Sequence, residues 1–184
     1  MRVNDPRAIR ALAHPLRLDL LELLGGISPA TAARCAQMLG VSQASASYHL
    51  RQLARYGFVE EGESSGDQRE RPWRIVSRNQ TLDSAPGPAV DQLAQVEVER
   101  EAGKILDFID RRAGETGPWR DASFRIGGTL PMTPEEVATA QEQIEAVMRP
   151  YIDRLDTDAP APPPGGRWVR FFLAATPYPD LEES

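Results

Sequence analysis

The sequence holds a single cysteine, Cys35, and two histidines, His14 and His49, among 184 residues. A lone thiol cannot close an internal disulfide, and it cannot by itself build a thiolate metal site. Neither histidine has a cysteine or carboxylate at a spacing typical of zinc, so no metal and no other cofactor is expected. A glycine-rich phosphate loop and a nucleophile elbow are also missing, which argues against an enzyme. No apolar run approaches the roughly 18 residues that would span a bilayer, and the N-terminus lacks a signal-like apolar core. A cytoplasmic protein without a membrane partner is expected.

Positive charge is scarce overall, with a net charge of −6, but it is not evenly spread. Residues 1–80 hold 11 Arg against 8 acids, or +3, whereas residues 81–184 hold 10 basic residues against 19 acids, or −9. A domain that binds a polyanion would sit in the first half. Six arginines, at 51, 55, 69, 71, 74 and 78, fall within residues 41–80.

Helix punctuation is dense at the start. Asp5-Pro6 reads as an N-cap followed by proline at the first helical position, and Ile9, Leu12 and Ala13 then recur at helical spacing. His14-Pro15 repeats that signal. It opens a stripe of Leu16, Leu20, Leu21 and Leu24 that should stop at Gly25-Gly26. Ser28-Pro29 should start a short third helix burying Ala32, Cys35, Ala36 and Leu39 and ending at Gly40.

The stretch VSQASASYHLRQLARYGFVEE (41–61) is unusual for a helix. Ser42 caps it, and Ala46, Leu50 and Leu53 form one narrow inward stripe. Gln43, Ser45, Ser47, Tyr48, His49, Arg51 and Arg55 are left facing out, rich in hydrogen-bonding groups and small near the N-terminus. Such a face fits the major groove of double-stranded DNA, about 12 Å wide, where these side chains reach base edges and phosphates. Phe58–Glu61 and Arg71–Val76 then read as two strands about a turn at Ser64-Ser65-Gly66-Asp67. This hairpin carries Arg69, Arg71 and Arg74 toward the DNA backbone, unless those arginines only keep it soluble. Tyr48 reads as a DNA contact or as a core-edge aromatic, and Trp73 as a residue packed under the hairpin. Together these elements predict a winged helix-turn-helix.

ALAHPLRLDLLELL, VSQASASYHLRQLARYGFV and RERPWRI together resemble the ArsR/SmtB-like winged helix regulators of bacteria, over residues 8 to about 78. The resemblance implies a homodimeric transcription factor, with Gln43, Ser45, Ser47, Tyr48 and Arg51 on DNA and Ala46, Leu50 and Leu53 packed inward. Metal-sensing members of that family carry paired cysteines in the helix before the recognition helix. This sequence has one, so Cys35 is expected to be a small buried hydrophobe rather than a ligand.

Ser84-Ala85-Pro86-Gly87-Pro88 marks a boundary between a DNA-binding domain over 1–80 and a second module over 86–184. Val90, Ala94, Val98, Ala102, Ile105 and Ile109 outline a long amphipathic helix. Val98, Ala102, Ile105 and Ile109 are the candidate dimer interface. Beyond it, Trp119–Leu130 and Trp168–Leu173 read as strands that could pair, and Thr133-Pro134-Glu135-Glu136 as a capping box opening a helix that carries Val137, Ile144, Val147 and Tyr151. The aromatics of this module could line an effector pocket, but core packing is expected of each.

The expected fold is therefore mainly α with small β: a winged helix-turn-helix domain, a long helix and a small α/β C-terminal module. The expected function is a sequence-specific transcriptional regulator, homodimeric on an inverted-repeat operator, a repressor with a non-metal effector or none. The competing reading is a protein-interaction module on a winged-helix fold that does not bind DNA.

Overall fold

The computed structural model describes residues 1–62, 71–78, 81–82, 85–155 and 161–179. The chain divides into two compact units, residues 1–104 and 105–184. The boundary falls inside a helix, not at the Pro/Gly stretch near residue 86, because the first half of that helix packs on the N-terminal domain.

In the first unit, β1 (Arg2–Val3), α1 (Pro6–Leu12), α2 (Pro15–Ile27), α3 (Ala32–Leu39) and α4 (Gln43–Arg55) precede β2 (Val59–Glu61), β3 (Trp73–Ile75) and β4 (Thr81–Leu82). The caps are the ones the sequence announces. Asp5 Oδ1 accepts from the Arg7 N–H at 2.8 Å, His14 Nδ1 from Leu16 at 3.2 Å, and Ser42 Oγ from Ser45 at 3.1 Å. Each satisfies an amide that the first turn of a helix leaves unpaired. Two boundaries differ from expectation. Helix α2 runs through Gly25 and Gly26 to Ile27, and α3 begins only after Thr31, whose hydroxyl accepts from Arg34. Ala30 is thereby free to exchange two backbone hydrogen bonds with Trp73, at 3.0 and 2.8 Å, fastening the helices to the hairpin.

One core unites these elements. Ile9, Leu20, Leu24, Leu50, Leu53 and Phe58 are fully buried in it, and Trp73 closes it from the hairpin side. Strands β2 and β3 pair antiparallel, with Val59 opposite Ile75 and Glu60 opposite Arg74. Strand β1 pairs in parallel with β4, joining the chain start to the segment after the hairpin.

Helix α5 (Pro88–Arg111) has 24 residues and a length of about 36 Å. Its inward residues begin apolar, with Ala89 and Leu93 buried, and then turn ionic. Arg100, its side chain only 10% exposed, donates to Asp19 at 2.8 Å, to Glu101 at 2.6 Å and to Glu22. Lys104 joins Glu22 at 2.8 Å and Asp19 at 3.4 Å. Helix α5 is thus anchored by the buried Ala89 and Leu93 near its start and, further along, by the ion pairs of Arg100 and Lys104 with α2. Burial, with the Glu101 carboxylate adding to it, pushes the Glu97 carboxyl up from its ordinary value.

The second unit contains the end of α5, α6 (Gly117–Ala122) and α7 (Pro134–Ile152), with a 3-10 turn after α5 and another after α7. The capping box forms: Thr133 Oγ1 accepts from the Glu136 amide at 3.2 Å, and Glu136 Oε2 accepts from the Thr133 amide at 2.8 Å. The expected strands do not form. Gly117-Pro118 starts a helix where Trp119 was to open a strand, proline fixing φ for a first turn. Residues 123–130 and 168–173 belong to no strand among the described residues. They still approach each other, with the Phe124 and Phe171 rings 6.2 Å apart and Arg167 both over the Trp119 ring and 2.8 Å from Glu115.

A candidate DNA-reading face

The face is built by a short turn. Gly40 ends α3 with φ +66°, a left-handed conformation that glycine adopts without strain, and Val41 and Ser42 complete the connection to α4. Ala46, Leu50 and Leu53 then draw one side of α4 into the core. The opposite side must face water. Gln43, Tyr48, Arg51 and Arg55 lie on it, exposed, and Ser45 and Ser47 are half-buried at its margin.

His49 does not belong to that side. It is 9% exposed, and its ring lies 4.3 Å from that of His14 at the start of α2. The reason is periodicity: Ala46, His49, Leu50 and Leu53 sit at i, i+3, i+4 and i+7, one face of a helix. Its Nδ1 has no hydrogen-bond partner among the described residues. Burial lowers the pKa of both histidines from 6.5; Arg17 reinforces this at His14, and His14 followed by Arg17 at His49. Tyr48, by contrast, stands with its ring edge-on to His49 and its surface in solvent.

Arg71 and Arg74, the described arginines of the hairpin, are not bare. Arg74 donates to Glu60 Oε1 through Nε at 3.0 Å and Nη2 at 2.7 Å, and Arg71 reaches Glu61 at 3.4 Å. All four side chains are about half exposed or more, so these pairs are weak, about 0–1 kcal/mol each, and exchangeable. Arg69 and the turn at 64–67 lie outside the described residues. Trp73 is buried, as packing requires.

Cys35 is fully buried on α3, and burial pushes its thiol up from the ordinary value of 9.0. Among the described residues, no three His, Cys, Asp or Glu side chains are grouped so as to hold a metal ion. No helix of the described residues is long and apolar enough to cross a membrane.

A tight helix pair presenting a polar, basic helix, followed by an antiparallel hairpin, is a winged helix-turn-helix, the fold of DNA-binding transcriptional regulators. Residues 12–62 match the profile of a family described as "Helix-turn-helix domain". No curated protein matches the chain. Among solved structures, the chain is similar to Lactococcus lactis ZitR. One comparison is with an apo-form mutant carrying two substitutions to alanine, at 17% identity and TM-score 0.33, covering 76% of this chain and 83% of that one. Another is with a glutamate-to-alanine mutant, at 15% identity and TM-score 0.31, covering 77% and 73%.

Proposed function

We propose that the protein is a sequence-specific transcriptional repressor of the ArsR/SmtB kind, acting as a homodimer on an inverted-repeat operator with a non-metal effector or none. The observation that carries this reading is the outer face of α4, where Gln43, Tyr48, Arg51 and Arg55 are exposed behind a three-residue turn. Gln43, with Ser45 and Ser47 beside it, reads base edges from the first turns, while Arg51, Arg55 and the hairpin arginines take phosphates. His49 is left out of this contact set because it supports the helix from inside. Val98, Ala102, Ile105 and Ile109 form the dimer contact. All four are exposed in the single chain, the three larger ones between 42% and 48%. Two recognition helices about a two-fold axis then address half-sites about 34 Å apart.

The test is DNA selection from a random pool followed by titration of the enriched duplex. An inverted repeat should emerge, and affinity should fall roughly 10³-fold between 50 and 200 mM salt for about six phosphate contacts per dimer. One observation favours the protein-interaction reading: Glu60 and Glu61 neutralise the two described hairpin arginines. No enrichment and salt-independent retention would select that reading.

A further inference from the structure

The seam between α2 and α4 gathers polar side chains that no carboxylate balances. His14 and Arg17 come from the start of α2, Tyr48 and His49 from α4; the two imidazole centroids lie 4.3 Å apart, and the Tyr48 ring is 5.0 Å from that of His49. Arg17 acts electrostatically on both histidines. Two nitrogens of this group, Arg17 Nε and His49 Nδ1, are buried without a hydrogen-bond partner among the described residues. Such atoms are uncommon in folded proteins, because a polar group buried without a partner forfeits its bonds to water.

Arg17 says what the group is for. Arg71, Arg74 and Arg100 spend their donors on carboxylates of this chain. Arg17 has only the Arg10 carbonyl, which its Nη2 reaches at 3.5 Å, beyond the ordinary range of an N–H···O bond. The groups acting on its charge are the hydroxyls of Tyr48, on α4, and Tyr56, at the C-cap of α4, not an acid. Tyr48 is 54% exposed, on the side of α4 that carries Gln43, Arg51 and Arg55. A guanidinium with an unmet Nε donor, set near an exposed hydroxyl at the edge of that face, has the chemistry of an anion clamp. The planar fork donates to two oxygens of a phosphate, and the hydroxyl adds a further bond. His49, whose ring meets those of both His14 and Tyr48, ties the Tyr48 ring to the start of α2.

We propose that Arg17 and Tyr48 together clamp one phosphate of the DNA backbone beside the recognition helix, with His49 as the positioning residue for Tyr48. This rests on the DNA reading above and adds a contact from α2, outside the recognition helix and the hairpin. The test is a duplex titration by fluorescence anisotropy between 50 and 200 mM salt, for the wild type, Arg17→Gln, Arg17→Lys and Tyr48→Phe. One phosphate contact fewer per protomer lowers the slope of log affinity against log salt by about 0.9, so a dimer of Arg17→Gln should lose roughly tenfold less affinity over that range than the wild type does. Arg17→Lys, which keeps the charge, should restore the slope. Tyr48→Phe should weaken binding roughly 2- to 10-fold at an unchanged slope. Arg17→Gln at the wild-type slope, whatever its affinity, would make Arg17 a brace for α1 and overturn the proposal while leaving the DNA reading standing; Tyr48→Phe at wild-type affinity would overturn the clamp in the same way. A wild type that binds no duplex would overturn both. Should Arg17→Gln fail to fold, the Arg17 Nε–H resonance of the wild type decides. It should shift when duplex is added; a signal that stays still, or that moves with inorganic phosphate and not with duplex, would overturn the contact.

Discussion

Replacing Arg100 by alanine should loosen α5 from the DNA-binding domain. The Arg100 side chain is only 10% exposed, and its guanidinium serves three carboxylates, those of Asp19, Glu22 and Glu101. Removing one partner of a buried ion pair costs about 3–5 kcal/mol because the other charge stays behind unpaired. Here Lys104 remains to serve Asp19 and Glu22, while Glu101, whose side chain is 8% exposed, loses its 2.6 Å contact with the guanidinium. A loss of about 2–4 kcal/mol follows. One buried pair can be removed whole: Arg100→Met combined with Glu101→Leu takes out the guanidinium together with its most buried carboxylate and leaves Lys104 on Asp19 and Glu22, and apolar replacements of this kind are often neutral or stabilising. Urea unfolding followed by far-UV circular dichroism measures both variants. The reasoning fails if Arg100→Ala lies within about 0.5 kcal/mol of wild type, or if the double variant is as unstable as the single one.

Freeing a hairpin arginine should strengthen DNA binding: Glu60→Gln releases Arg74 from its carboxylate, and affinity in a fluorescence anisotropy titration should rise roughly 2- to 5-fold, the worth of an exposed pair. Acidification should destabilise the fold through the histidine pair. Both pKa values are lowered in the folded state, so below 6.5 the unfolded chain takes up protons that the folded one refuses, and stability falls with pH until the folded values are reached. Thermal melts of His14→Asn, which keeps a capping acceptor, should show a shallower pH dependence; an unchanged slope would exclude His14 as a source. Leu50→Ala should cost about 2–5 kcal/mol in denaturant unfolding, since its side chain is fully buried on the inner side of α4.

Much of the first unit, and the start of one helix in the second, was legible because the signals are local. Caps at Asp5, His14, Ser42 and Thr133 need only a side chain and an amide two or three residues on, and the stripe of Ala46, Leu50 and Leu53 needs only helical periodicity. His49 was readable by the same rule, as the residue completing that stripe, but its polarity argued for the outer face. What stayed illegible depends on partners distant in sequence. The carboxylates that occupy Arg71 and Arg74 come from the opposite strand, and the grip of Arg100 on Asp19 spans 81 residues. Alternation at 123–126 and 168–173 announces strands, but a strand also needs backbone hydrogen bonds to a neighbour, and none forms there among the described residues.

The burial of Cys35 makes the only thiol of the protein a timer. Fully covered and held protonated, it cannot meet an alkylating reagent while α3 is seated, so its modification counts openings of the N-terminal core and nothing else. Whatever grips the recognition face and steadies the fold will slow that count, and a bound duplex becomes measurable without any label attached to the protein.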